Sequence, residues 1–263
     1  MKMKLTQSDY QAWLIRHFVA VFCLILCSLV NAKELIVGVS ETDYKPFYYE
    51  EAGEFKGAAA EIAHHVAKQL GHHLTFKRFP WKRVQYNLAI GRIDMVILYF
   101  KTEERAKDVW YVDIPHIYES SSLVVSNSSD IEFSGQLLEL SKRSFGNVSG
   151  YWHGKNYSEN TQLLKQEYSS TTALLEALHR GKVDIGVGNK PVMTALATSM
   201  GIVNEIKFLE PKIDYAPDYI AFSKVKSGSL PLANAFSRKL KAFMKTDAYR
   251  DILHQYGFEL PEN

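Results

Sequence analysis

A ten-residue pattern occurs twice in this chain, 90 positions apart. Leu88-Ala89-Ile90-Gly91-Arg92-Ile93-Asp94-Met95-Val96-Ile97 resembles Leu178-His179-Arg180-Gly181-Lys182-Val183-Asp184-Ile185-Gly186-Val187. Each copy reads as the end of an amphipathic helix, a glycine stop, a basic residue, and an apolar strand punctuated by aspartate. Helix-glycine-strand junctions are common in α/β proteins, so the likeness is either a coincidence of junctions or one supersecondary unit built twice. The second reading gives two lobes of similar plan, each near 100 residues, which suffices for a domain. A cleft between two such lobes is where a small ligand binds, and closure around it is the expected motion.

Short apolar runs alternate with amphipathic stretches along the chain, as in an α/β fold. Leu35 to Val39 reads as a buried strand. Ala59, Ile62, Ala63, Val66 and Leu70 recur at helical spacing and stop at Gly71. Leu74 and Phe76 begin a second strand, Val84 to Ile90 a helix ending at Gly91, and Ile93 to Phe100 a third strand. The Ser/Asn/Asp-rich segment from Ser126 to Ser134 reads as a surface connection.

Lys2, Lys4 and Arg16 precede an apolar stretch from Phe18 to Val30, which closes on Val30-Asn31-Ala32. That is the pattern of a cleavable signal peptide over residues 1–32; a thirteen-residue run is too short for an easy bilayer crossing, which takes about 20. The exported part then holds 28 basic and 28 acidic residues, a balance that argues against a nucleic-acid partner. Both cysteines, Cys23 and Cys27, fall within the apolar stretch. A soluble, disulfide-free monomer is expected.

With these pieces placed, the sequence resembles the bacterial extracellular solute-binding proteins of family 3, which serve polar amino-acid importers. The likeness runs from Leu35 to Phe258. It is carried by Val37-Gly38-Val39, Tyr44-Lys45-Pro46-Phe47, Phe55-Lys56-Gly57, Gly91-Arg92-Ile93-Asp94, Thr102-Glu103-Glu104-Arg105, Gly181-Lys182-Val183-Asp184 and Tyr249-Arg250-Asp251-Ile252-Leu253, in that order. The resemblance implies a two-lobed periplasmic-binding-protein-like fold of type II with a two-segment hinge. Lobe 1 would be 33–122 plus 222–263, and lobe 2 would be 123–221. It also implies a periplasmic location, a small-molecule ligand and a membrane ABC permease as partner.

Thr102 is a good helix N-cap and Glu103 and Glu104 suit a first turn, so Arg105 is expected at the third helical position beside free amides. The resemblance gives this arginine the ligand's carboxylate; the alternative is a surface arginine paired with Glu103, Glu104 or Asp108. Asn189 stands where amino-acid binders carry an aspartate for the ammonium group. Ala58 and Leu98-Tyr99-Phe100 replace aromatic, small and hydroxyl residues, making the cleft more apolar; Tyr99 and Phe100 are equally readable as strand packing. Glu41, Tyr44, Trp81, Arg83 and the run Tyr151-Trp152-His153 are further candidate wall residues, with Trp81 also readable as a cover for lobe 1. The pairs His64-His65 and His72-His73 invite a metal, but adjacent helical residues point about 100° apart and no third ligand is evident, so neither a metal site nor a cofactor is expected.

These readings describe a binding module that closes on a small polar or carboxylate-bearing solute and delivers it to an importer. Its rivals are an input protein for a membrane signalling partner and a dehydratase-like enzyme on the same plan, for which Glu41, His153 and Arg105 supply acid-base groups but no nucleophile motif exists.

Overall fold

The computed structural model describes residues 34–258, so the signal peptide expected over residues 1–32 lies outside the described residues. The described chain opens with β1 (Glu34–Ser40), a small hairpin of β2 (Tyr49–Glu51) and β3 (Glu54–Lys56), and α1 (Ala58–Gln69). Then come β4 (His73–Phe79), α2 (Trp81–Ala89), β5 (Met95–Phe100), β6 (Val109–Tyr111) and the ten-residue β7 (Ile117–Ser126). The second part runs through β8 (Ser144–Val148), α3 (Lys155–Ser158), β9 (Leu164–Tyr168), α4 (Thr171–His179), β10 (Ile185–Gly188) and α5 (Lys190–Ser199). The chain returns along β11 (Ile206–Ser223) and ends in α6 (Ser229–Phe243) and α7 (Asp247–Gln255).

Among the described residues the strands outside the hairpin form one sheet in the order β4-β1-β5-β11-β7-β10-β8-β9, with β6 also on β11. The order is nearly symmetric about its middle. On one side β1 lies between parallel β4 and β5; on the other β8 lies between parallel β9 and β10. Antiparallel β7 and β11 join the two sides.

The ten-residue pattern falls on equivalent places of the two sides. Asp94 accepts a hydrogen bond from Ile36 N–H at 2.9 Å and returns one to the Ile36 carbonyl at 2.8 Å. Asp184 does the same with Ser144, at 2.7 and 3.1 Å. Each aspartate therefore ties its own strand to the neighbouring parallel strand through two backbone groups that would otherwise be unpaired. Two residues on from these anchors stand Gly38 and Gly146. A Cβ on Gly38 would meet Val84 and Ile93, and one on Gly146 would meet Leu174 and Val183. Both pairs of neighbours are 90 positions apart, so the helix-strand unit is repeated in packing as well as in sequence.

Helical spacing selects what each element buries. Trp81, Val84 and Leu88 turn the apolar face of α2 inward; Leu174, Leu175 and Leu178 do so for α4, whose N-cap Ser170 accepts from Ala173 N–H. One apolar core gathers Val37, Ile62, Val66, Met95, Phe236, Leu240, Phe243 and Leu253 from β1, α1, β5, α6 and α7. Others, built from residues between Leu123 and Leu209, lie around Phe145, Ile185 and Tyr157 and around Leu174, Leu178 and Met193. Each fully buried side chain of this size contributes about 1.5–3 kcal/mol. No helix among the described residues is long and apolar enough to cross a membrane.

One expected element differs. The helix predicted from Thr102 is a single 3-10 turn, Arg105–Lys107. Thr102 does cap it, its Oγ1 accepting from Arg105 N–H at 3.2 Å. Yet Thr102 to Asp108 offers no apolar stripe to bury, and capping alone does not carry a helix past its first turn.

Candidate functional site

A cavity lies where the two sides of the sheet face each other beside the joining strands, with about 410 Å³ of non-protein space, part of it open to solvent. Its aromatic wall is continuous. Tyr44, in the loop after β1, stacks on Tyr48 at 5.6 Å and meets Tyr151 edge-on at 6.0 Å; Trp81 meets Tyr151 at 5.7 Å. The loop holding Tyr44 and Tyr48 is seated on the start of α1, where Ala58 and Ala59 N–H donate to the carbonyls of Pro46 and Phe47. Leu98, Phe100 and Trp152 add apolar surface.

Arg105 supplies the positive charge. Its two terminal nitrogens donate to the carbonyls of Phe100 at 3.1 Å and Gly150 at 3.0 Å, and its guanidinium carbon lies 4.4 Å from the Tyr99 ring centre. The turn is too short to present helix amides, so the geometry owes nothing to a helix dipole. Neither Glu103, Glu104 nor Asp108 pairs with Arg105; Glu104 pairs instead with Lys107. Because Phe100 ends β5 and Gly150 follows β8, Arg105 links the two sides of the sheet.

The negative charge comes from the joining strands. Glu119 of β7 and Asp218 of β11 line the cavity and are hydrogen-bonded to each other, and Tyr44 donates to Glu119. Burial pushes the Glu119 carboxyl up to about 7, and burial together with Glu119 holds Asp218 well above the usual carboxylate range. His153 faces the same space with Nδ1 at 2.9 Å from Ser121 Oγ; burial, helped by Arg105 and Lys165, lowers it to about 3 and keeps it neutral. The arrangement is an aromatic box holding one fixed cation and a protonated acid pair, suited to recognising a charged polar solute.

Of the residues singled out in the sequence, Tyr44, Trp81, Arg105 and Tyr151 line this cavity together, with His153 beside them. Tyr99 backs Arg105. Glu41 and Arg83 are exposed, and Thr102 is spent on its turn. Asn189 is elsewhere: it caps α5, its Oδ1 accepting from Val192 N–H at 3.2 Å while Nδ2 donates to the Ser120 carbonyl at 3.1 Å. Asn189→Asp is thus expected to leave a buried carboxylate facing a carbonyl, lowering stability by about 1–3 kcal/mol in a thermal melt. An unchanged melt would mean the amide is not held this way.

Tyr48, Glu119 and Asp218 were missed by the sequence reading. The available signal was an acid inside each of two otherwise small or apolar strands, Ile117-Tyr118-Glu119-Ser120-Ser121 and Asp218-Tyr219-Ile220-Ala221. The first histidine pair is taken up in packing: His65 stacks on Phe243 at 3.7 Å and His64 lies by Phe76, while the nearby Glu61 accepts from Tyr256.

The family model described as "Bacterial extracellular solute-binding proteins, family 3" matches residues 35–259. The "Probable amino-acid-binding protein YxeM" of Bacillus subtilis (strain 168) is 24% identical over 172 residues, 64% of this chain and 64% of that relative's length. An ancestral arginine-binding protein solved bound to arginine is 25% identical with a TM-score of 0.71, covering 85% of this chain and 97% of its own. A histidine kinase sensor domain with similarity to periplasmic binding proteins has a TM-score of 0.75 at 19% identity, covering 87% of this chain and 98% of its own. At that identity the likeness is one of fold.

Proposed function

The chain belongs to family 3 of the bacterial extracellular solute-binding proteins, and from that premise we propose that it is an exported, periplasmic receptor that closes on a small amino-acid-like solute and hands it to a membrane ABC importer. The observation that carries the reading is a single charged cavity lined from both sides of the sheet: Tyr44, Trp81 and Arg105 from one, Tyr151, Trp152 and His153 from the other, with Glu119 and Asp218 on the strands between. The lobes are 33–122 with 222–263, and 123–221. Two apolar cores made wholly of residues from 123–221 support those limits, and the two joining strands are the natural hinge. Arg105, with further donors left on its guanidinium, takes the solute's carboxylate. An amino-acid-like solute also agrees with what the Bacillus relative is named for.

A thermal-shift screen of amino acids, other carboxylates and oligopeptides on the purified protein tests this. A true ligand at one hundred times its Kd stabilises by about 2.7 kcal/mol, which is roughly 5–10 °C for a chain of this size. No shift with any small polar solute would overturn the receptor reading.

A further inference from the structure

Two carboxylic acids stand where the joining strands cross, and neither has an ion-pair partner among the described residues. Glu119 lies opposite Ala216, and Ile117 opposite Asp218. Glu119 and Asp218 are therefore diagonal neighbours on one face of an antiparallel ladder, within reach of each other's side chains. Glu119 is 7% exposed and Asp218 1%. Two carboxyls in contact cannot both ionise, so the pair holds a proton between them.

Every group packed around the pair bears on what it can receive. Tyr44, from the loop after β1, donates to Glu119, and Asp214, earlier on β11, adds negative field there. Arg105, from the 3-10 turn, draws Asp218 partway back down. Tyr151 and His153, from the loop after β8, are kept uncharged by burial. A pair serving only the fold would be replaced without loss by apolar side chains. Here the surrounding polar atoms are unfinished as well: Asp218 Oδ2 receives no hydrogen bond, and Trp81 Nε1 and His153 Nε2 have no partner, although each of the three residues is more than nine-tenths buried and lines the cavity.

We infer that the Glu119–Asp218 pair is the seat of a cationic nitrogen of the solute, an ammonium or a guanidinium, which takes the place of the proton the two acids otherwise share. The inference rests on the receptor reading above and names the group its cavity selects. The pair passes from one negative charge to two as its proton goes to the buffer, and the arriving cation restores the net charge of the seat. It also supplies the negative counter-charge that Asn189 does not bring to the cavity. Protons and solute then compete for one seat, so binding weakens as pH falls, about tenfold per unit for each proton displaced.

Titration calorimetry on the purified chain tests this with four probes: L-arginine, L-citrulline, L-glutamine and glutaramate, the last being glutamine without its α-ammonium. Arginine binding at least tenfold tighter than citrulline assigns the seat to a side-chain cation; glutamine binding at least tenfold tighter than glutaramate assigns it to the α-ammonium. In either case about one proton per solute is released at pH 7.5, read from buffers of different ionisation enthalpy, and affinity falls between pH 7 and 5.5. Glu119→Gln and Asp218→Asn are expected to erase both the proton release and the preference. Should either variant fold poorly, the proton count of the unmodified protein still decides. Binding without proton exchange and with a flat pH profile overturns the inference, as does equal affinity within both probe pairs. Failure of all four probes to bind overturns this inference, while the receptor reading falls only if the thermal-shift screen also finds no solute.

Discussion

Gly57→Ala is expected to lower stability by roughly 2–4 kcal/mol, some 5–15 °C in melting temperature. Gly57 has φ +107° at the entry to α1, and a Cβ there would sit 2.5 Å from the Phe47 carbonyl oxygen and 2.8 Å from the Tyr48 Cα. Both contacts are with backbone, which cannot rotate away as a side-chain tip can. Two costs therefore add, a positive φ that alanine disfavours and a main-chain collision. Gly53 separates them, since its φ is +82° with nothing within 4 Å of the added carbon. Gly53→Ala should cost about 1 kcal/mol. Calorimetric melts of both variants check the argument, and equal losses would remove the collision from it. Because the displaced backbone carries Tyr48, Gly57→Ala should also weaken any solute that stabilises the parent protein.

The same glycine marks what could be read from the sequence. Where apolar spacing and a stop residue coincide, as from Ala59 to Gly71 and around Gly91 and Gly181, elements came out within a few residues of their positions, because local periodicity decides which face is buried. The ten-residue repeat was legible for the same reason. Its meaning, an aspartate tying two parallel strands together, depends on a partner some forty to sixty residues away and needs the fold. Thr102 to Asp108 failed in the opposite direction: a cap and acidic first turn were present, but no face to bury. Asn189 carried a readable cap signal, an asparagine ahead of Lys190 and Pro191, which the likeness to amino-acid binders outweighed. Glu119 and Asp218 meet only through the register of β7 on β11, strands about a hundred residues apart in the chain. Nothing local fixes that register.

Arg105→Ala is expected to weaken an anionic or zwitterionic solute by roughly 2–5 kcal/mol, about 30- to several-thousand-fold. The sequence alone suggests a solvated arginine whose loss leaves folding untouched. The structure alters that half of the expectation: Arg105 is tied to Phe100 and Gly150 carbonyls and laid on Tyr99. Truncation takes one donor from each of these carbonyls, leaving Tyr111 Oη on Phe100 and Gln85 Nε2 on Gly150, and uncovers an aromatic face, which should cost about 1–2 kcal/mol in the unliganded protein. Arg105→Lys retains the charge but not the planar fork that spans two carbonyls and still offers a donor to a carboxylate. It should therefore recover part of the affinity and little of the tie between the two sides of the sheet. Titration with the first solute found, beside melts of both unliganded variants, separates the two roles. If Arg105→Ala loses stability while its affinity is unchanged, the guanidinium serves only to hold Phe100 and Gly150 together, and the solute's carboxylate must be met by another group, such as the unpartnered Trp81 Nε1 in the cavity wall.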